Sequence, residues 1–167
     1  MNLTFREIRK ADLAPIKNWR NEQMDILRQN VVLTDADQEN WFLGLANDKS
    51  QVLFAVLDGD LLGYCGITHF DNFNHRGEVS FVMKTEIARD EASYEKYFLA
   101  VLEMLKNYAF AELKLHKLFT ETYEFRKFHI SILEKFGFKL DGRYKEHIFH
   151  EGKFIDSLIH SLINGQS

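Results

Sequence analysis

The sequence predicts a mixed α/β domain, a sheet of six or seven strands flanked by about four helices, and three observations carry that expectation. Residues 90–110 repeat Tyr94, Tyr97, Phe98, Val101, Leu102, Leu105, Tyr108 and Ala109 at three-and-four spacing, the pattern of one long amphipathic helix. Asp58-Gly59-Asp60 separates two apolar runs, 51–57 and 61–70, as a tight hairpin turn does. Strands that meander before the long helix and alternate with helices after it need both antiparallel and parallel neighbours.

The remaining elements follow in order. Residues 3–9 alternate Leu, Phe and Ile with polar residues and read as a half-buried strand. Asp12 is placed to N-cap a helix carrying Leu13, Ile16 and Trp19, and Thr34 or Asp35 opens a second one presenting Trp41, Phe42 and Leu45. Residues 78–84 form a strand before the long helix. After it come a strand at 117–123, a short helix closed by Gly137, and two strands joined at Glu151-Gly152.

Apolar residues at 46% and charged ones at 28% are globular values, and one domain over 1–167 accommodates them. Fifteen Phe imply an aromatic core, and a net charge of −4 argues against a nucleic-acid or anionic membrane partner. Cys65 is the only cysteine, so no internal disulfide forms, and the residue reads as a small buried hydrophobe. With no signal-peptide pattern and no span-length apolar run, the expected setting is cytoplasmic. His147 and His150 lie three apart on a strand and face opposite ways, and His69 and His75 lack zinc-site spacing, so no metal is expected.

The spacing of Glu134-Lys-x-Gly-Phe138, Asp141-Gly-Arg143 and Glu151-Gly-Lys-Phe-x-Asp156, with the element order, resembles the Gcn5-related N-acetyltransferases (GNAT). The branch most resembled contains ribosomal-protein, spermidine and amino-sugar acetyltransferases. The resemblance implies an acyl-CoA N-acyltransferase-like fold, acetyl-CoA as donor and a primary amine as acceptor: a protein N-terminus, a polyamine or an amino sugar. It places the donor's pantetheine arm along the strand containing Phe81, Val82 and Met83.

Where the family carries a glycine-rich phosphate loop, residues 84–96 contain no glycine and bring Asp90 and Glu91. Arg89, Lys96, Arg126 and Lys127 are therefore the cations expected to hold the donor. Glu78 is the base the resemblance implies, or else an edge-strand carboxylate paired with Arg76. The family's acid, a Tyr, is replaced by Leu133, and its pantetheine-binding Asn by Arg126. His129, Tyr123 or Tyr144 are then the substitutes, although a surface-helix histidine is the plainer reading of His129. Trp19-Arg20-Asn21, following the first helix, matches a tripeptide found near the acceptor pocket. Two other functions stay open: a non-catalytic relative that binds a small molecule or partner chain, and an enzyme whose acyl donor is not coenzyme A. A homodimer is expected if the apolar strand 158–163 lies at an edge.

Overall fold

The computed structural model describes residues 2–165. One seven-stranded sheet runs in the order β1-β2-β3-β4-β5-β7-β6. Its strands are β1 (Thr4–Glu7), β2 (Val52–Asp58), β3 (Asp60–Asp71), β4 (Arg76–Met83), β5 (Lys117–Tyr123), β6 (Lys139–His150) and β7 (Lys153–Ile163). The helices are α1 (Leu13–Glu22), α2 (Asp35–Leu45), a short α3 (Thr85–Ala88), α4 (Glu91–Asn107) and α5 (Lys127–Phe136). All neighbouring strands are antiparallel except β4 and β5.

Period-two alternation sorts the strand residues onto two faces. Val56, Cys65 and Met83 join Phe98, Leu102, Leu105, Leu133 and Phe138 in the main core under α4 and α5. Ala55, Tyr64 and Val82 meet Ile16 and the Trp19 and Trp41 rings of α1 and α2 on the opposite face. The sheet is thus the middle layer of three.

The hairpin turns stand where the sequence puts them, with Gly59 at φ +79° and Gly152 at φ +81°. Thr34 caps α2 in a reciprocal box with Asp37. Asp12 holds the N-cap position of α1 without capping it. Its buried carboxylate instead takes both Arg6 guanidinium nitrogens, at 2.6 and 2.9 Å, and the Arg9 amide at 2.8 Å. Strand 158–163 is not an edge: β7 is covered on both sides, by β5 and β6, and the free edge belongs to β6. The premise for pairing through that strand is therefore wrong. Among the described residues no helix is long and apolar enough to cross a membrane.

Candidate active site

The one parallel pair in the sheet is short. β4 and β5 match only at Arg76–Lys117, Gly77–Leu118 and Glu78–Phe119, and beyond that rung they part. Residues 79–83 stay paired with β3 on one side only, so their other backbone edge faces a gap through the sheet. A cavity of about 450 Å³ fills this gap.

Glu78 sits at the fork. It lies on a central strand, 2% exposed, and does not pair with Arg76, which binds Asp71 instead. Alternation sends Glu78 and Glu121 to the face covered by α1 and α2. There Arg28 bridges them, one guanidinium nitrogen on Glu78 Oε1 and the other 3.1 Å from Glu121 Oε2. His69 Nδ1 lies 2.6 Å from the second Glu78 oxygen, while the rest of its side chain is largely exposed. A bulge between Thr68 and Asp71 aims that ring, and His69 takes a left-handed φ of +48° to do so. Glu78 is therefore buried with two partners, one of which leads to solvent.

Arg28 comes from the α1–α2 loop, which is strapped across the gap. Tyr123 Oη donates to the Leu27 carbonyl at 3.2 Å, and Arg126 to that of Ile26 at 3.4 Å. Gln23 donates to the Met83 carbonyl at 2.7 Å. Asn21 holds the loop's far end, donating to the Leu33 carbonyl at 2.9 Å and accepting its amide at 2.8 Å.

On the other face, under α4 and α5, Phe81, Phe98 and His129 form a stack with centroids 4.5 and 4.6 Å apart. His129 Nδ1 lies 2.7 Å from Tyr94 Oη, which also accepts from Arg126 Nη2 at 3.2 Å. Burial, then the Arg126 charge and His160, hold the His129 imidazole well below its usual 6.5. It is not a surface histidine. Leu133, where the family's Tyr would stand, is fully buried in the main core.

The other residues singled out from sequence are scattered. Trp19, Arg20 and Asn21 lie within α1, not after it, and only Arg20 lines the cavity; Trp19 packs in the second core. Val82 and Met83 spend their side chains in the two cores, so only their backbone can face a ligand. Arg89 and Lys96 are exposed at the start of α4, and Lys127 lines a different depression with Asp25 and Lys153. Tyr144 is half-exposed on β6 and does not line the cavity; its ring is 5.0 Å from that of His147, whose Nε2 lies 3.9 Å from Glu121 Oε1. Sequence reasoning missed Arg28, Glu121 and Tyr94 as site residues, and weighed His69 only as a metal ligand. No spacing rule pointed to Glu121, which shares the Glu78 face through the observed register, Glu78 opposite Phe119 and Phe119 two residues before Glu121.

For a donor placed as the resemblance implies, one end of its site is well formed and the other is altered. The free edge at 79–83 suits a pantetheine arm, and Thr120 Oγ1, buried in the cavity wall without a hydrogen-bond partner among the described residues, offers it a hydrogen bond. At the pyrophosphate end, the Asp90 carboxylate caps α4 by accepting the Ser93 amide at 2.9 Å. Hydrogen bonding from the Ser93 side chain, and then from its amide, holds the carboxyl below its usual range, so a negative charge already stands at the helix N-terminus.

The chain belongs to the acetyltransferase (GNAT) domain family, whose match spans residues 5–159. It is accordingly an N-acetyltransferase that uses acetyl-CoA as donor. Among solved structures it resembles a spermidine N-acetyltransferase from Vibrio cholerae in complex with CoA and spermine, at TM-score 0.85 and 20% identity. That alignment covers 96% of this chain and 95% of the other. A dodecameric spermidine N-acetyltransferase from the same organism aligns at TM-score 0.82 and 19% identity, over 96% and 93% of the two chains. At such identity the likeness establishes the fold. No curated protein sequence matches the chain.

Proposed function

We propose that the acceptor is a small polyamine, acetylated at a primary amine that docks between Glu78 and Glu121. One observation carries this reading: two carboxylates from diverging strands hold a cation between them, and Arg28 supplies that cation in the free protein. A site that grips a guanidinium so closely suits an ammonium. The spermidine N-acetyltransferases of the same fold add support.

The roles follow from position. An incoming ammonium displaces Arg28 and loses its proton to Glu78, and the His69 ring carries that proton toward water. Acetyl-CoA supplies the acetyl group, its arm lying along residues 79–83. Arg20 lines the acceptor side, and Asn21 keeps the α1–α2 loop in register. The exposed Arg89 and Lys96 provide the long-range attraction for the donor's phosphates.

The test is a thiol-release assay with spermidine, an amino sugar and a short peptide with a free N-terminus. Spermidine turning over with the highest kcat/KM is the expected result. Removing the tethered competitor with Arg28→Ala should lower the spermidine KM by about tenfold, near 1.4 kcal/mol of recovered binding. Preference for the peptide or sugar, together with a raised KM in Arg28→Ala, would assign Arg28 to an anionic acceptor instead.

A further inference from the structure

Three features of the α4/α5 face depart from the family pattern implied by the sequence, and the structure joins them. The Asn position is Arg126, the Tyr position is Leu133, and one turn before Leu133 stands His129. Arg126 donates to Tyr94 Oη, and Tyr94 lies in hydrogen-bond contact with His129 Nδ1. Proton counting then fixes the direction of the chain. A guanidinium only donates, so the Tyr94 oxygen is an acceptor toward Arg126; among the described residues Nδ1 is the one acceptor in reach of the buried Tyr94 hydroxyl, and its single proton is directed there. Nδ1 is thus the acceptor nitrogen, and the neutral ring carries its proton on Nε2. The ring lines the cavity, stacked flat on Phe98. Among the described residues Nε2 has no hydrogen-bond partner, yet it is not a buried orphan as both His160 nitrogens are.

We propose that His129 acts as a neutral hydrogen-bond donor to the thioester sulfur through Nε2–H, with Tyr94 and Arg126 as positioning residues that set its tautomer. As the amine nitrogen bonds the acetyl carbon, the carbon–sulfur bond breaks and its electron pair moves to sulfur. Nε2–H stabilises that charge and keeps its proton. One proton leaves the ammonium before attack and a second leaves the nitrogen as the amide forms, both through Glu78, and the thiolate is protonated later by water. This role differs from that of a proton-transferring acid, for which His129, Tyr123 and Tyr144 were the candidates in the sequence. The charged and titratable groups facing the ring are Arg126 before α5, Tyr94 on α4 and His160 on β7, itself 3.5 Å from Glu134. None of those in contact with the ring favours a second proton on it. The inference rests on the acetyl-transfer reaction and not on which amine is acceptor.

The decisive experiment reads the ring directly in the unliganded protein. Nitrogen-15 NMR of histidine-labelled protein, with the His129 signals assigned by their loss in His129→Gln, distinguishes the two tautomers. Wild type should show the Nε2–H form from pH 8 down to 6, without the titration of an ordinary imidazole. Tyr94→Phe should lose that fixed tautomer and lower kcat while the acceptor KM stays within about twofold. His129→Ala should reduce kcat by roughly 10²-fold, the low end for loss of a preorganised donor. His129→Gln, whose side-chain amide still donates, should retain more activity than His129→Ala. An Nδ1–H tautomer, protonation near pH 6.5, or equal rates in the Gln and Ala variants would overturn the proposal.

Discussion

The two ends of the cleft are built by opposite means. At the fork of β4 and β5, side chains from four elements converge: Glu78 and Glu121 on facing strands, His69 on a bulge, Arg28 on a strapped loop. At the α3–α4 junction nothing converges. No glycine exposes bare backbone, Asp90 already caps the helix, and Arg89 and Lys96 stand in solvent. Reactivity needs groups fixed to a fraction of an ångström in a dry site, whereas holding a phosphate needs only charge within screening distance. The fold can therefore simplify its grip on the donor and keep the chemistry intact.

The largest effect is expected where the construction is densest. Glu78→Gln keeps the shape and its contacts with Arg28 and His69 but removes the base. Turnover of spermidine should fall by roughly 10²-fold, the low end for general-base catalysis, with thermal stability nearly unchanged. A pH–rate profile identical to wild type would assign the base elsewhere. The sparse end predicts the reverse sign. Asp90→Asn retains the N-cap hydrogen bond and discards the charge, so acetyl-CoA should bind several-fold tighter, as isothermal titration would register. Weaker binding would mean that Asp90 orders the donor site.

Much of the fold was legible in the sequence because its signals are local. The Asp58-Gly59-Asp60 turn, the long apolar stripe of α4 and Gly137, at φ +119°, each specify their own backbone. The short α3 was not, since four residues carry too little periodicity. Glu78 was singled out by its place on the strand that the resemblance gives to the donor, and the structure buries it at the β4–β5 fork. Its partners were not, because Arg28 lies 50 residues away in a loop and no spacing rule links them. Tyr94 was read as part of the apolar face of α4, which is correct for its ring and silent about its hydroxyl. Whether 158–163 lies at an edge was left open by the sequence, because the β6–β7 hairpin folds back to insert β7 beside β5, a choice no local pattern records.

Leu133 sharpens the contrast from the core side. Being fully buried, it leaves no room for a larger ring. Leu133→Tyr should cost about 1–3 kcal/mol by overpacking and leave the rate unimproved, measured by thermal denaturation beside turnover. A faster variant would show that the site lacks a hydroxyl after all.

The smallest effect lies outside the cleft, where Arg6 holds the Asp12 carboxyl below its ordinary 3.8. A depressed carboxylate stabilises the fold above its unfolded pKa, and that contribution is lost as pH falls through the folded one. Asp12→Asn should therefore reduce stability at pH 7 and progressively less below pH 4, which denaturant titrations at both values would show.

Calorimetric titration of the protein with acetyl-CoA at low and high salt tests most directly whether the donor is gripped by charge rather than by a backbone cradle. Micromolar-to-millimolar affinity that weakens several-fold between 0.05 and 0.5 M salt, roughly as the screening length shrinks, is the predicted result. Tight binding indifferent to salt would contradict it, as would no binding at millimolar donor.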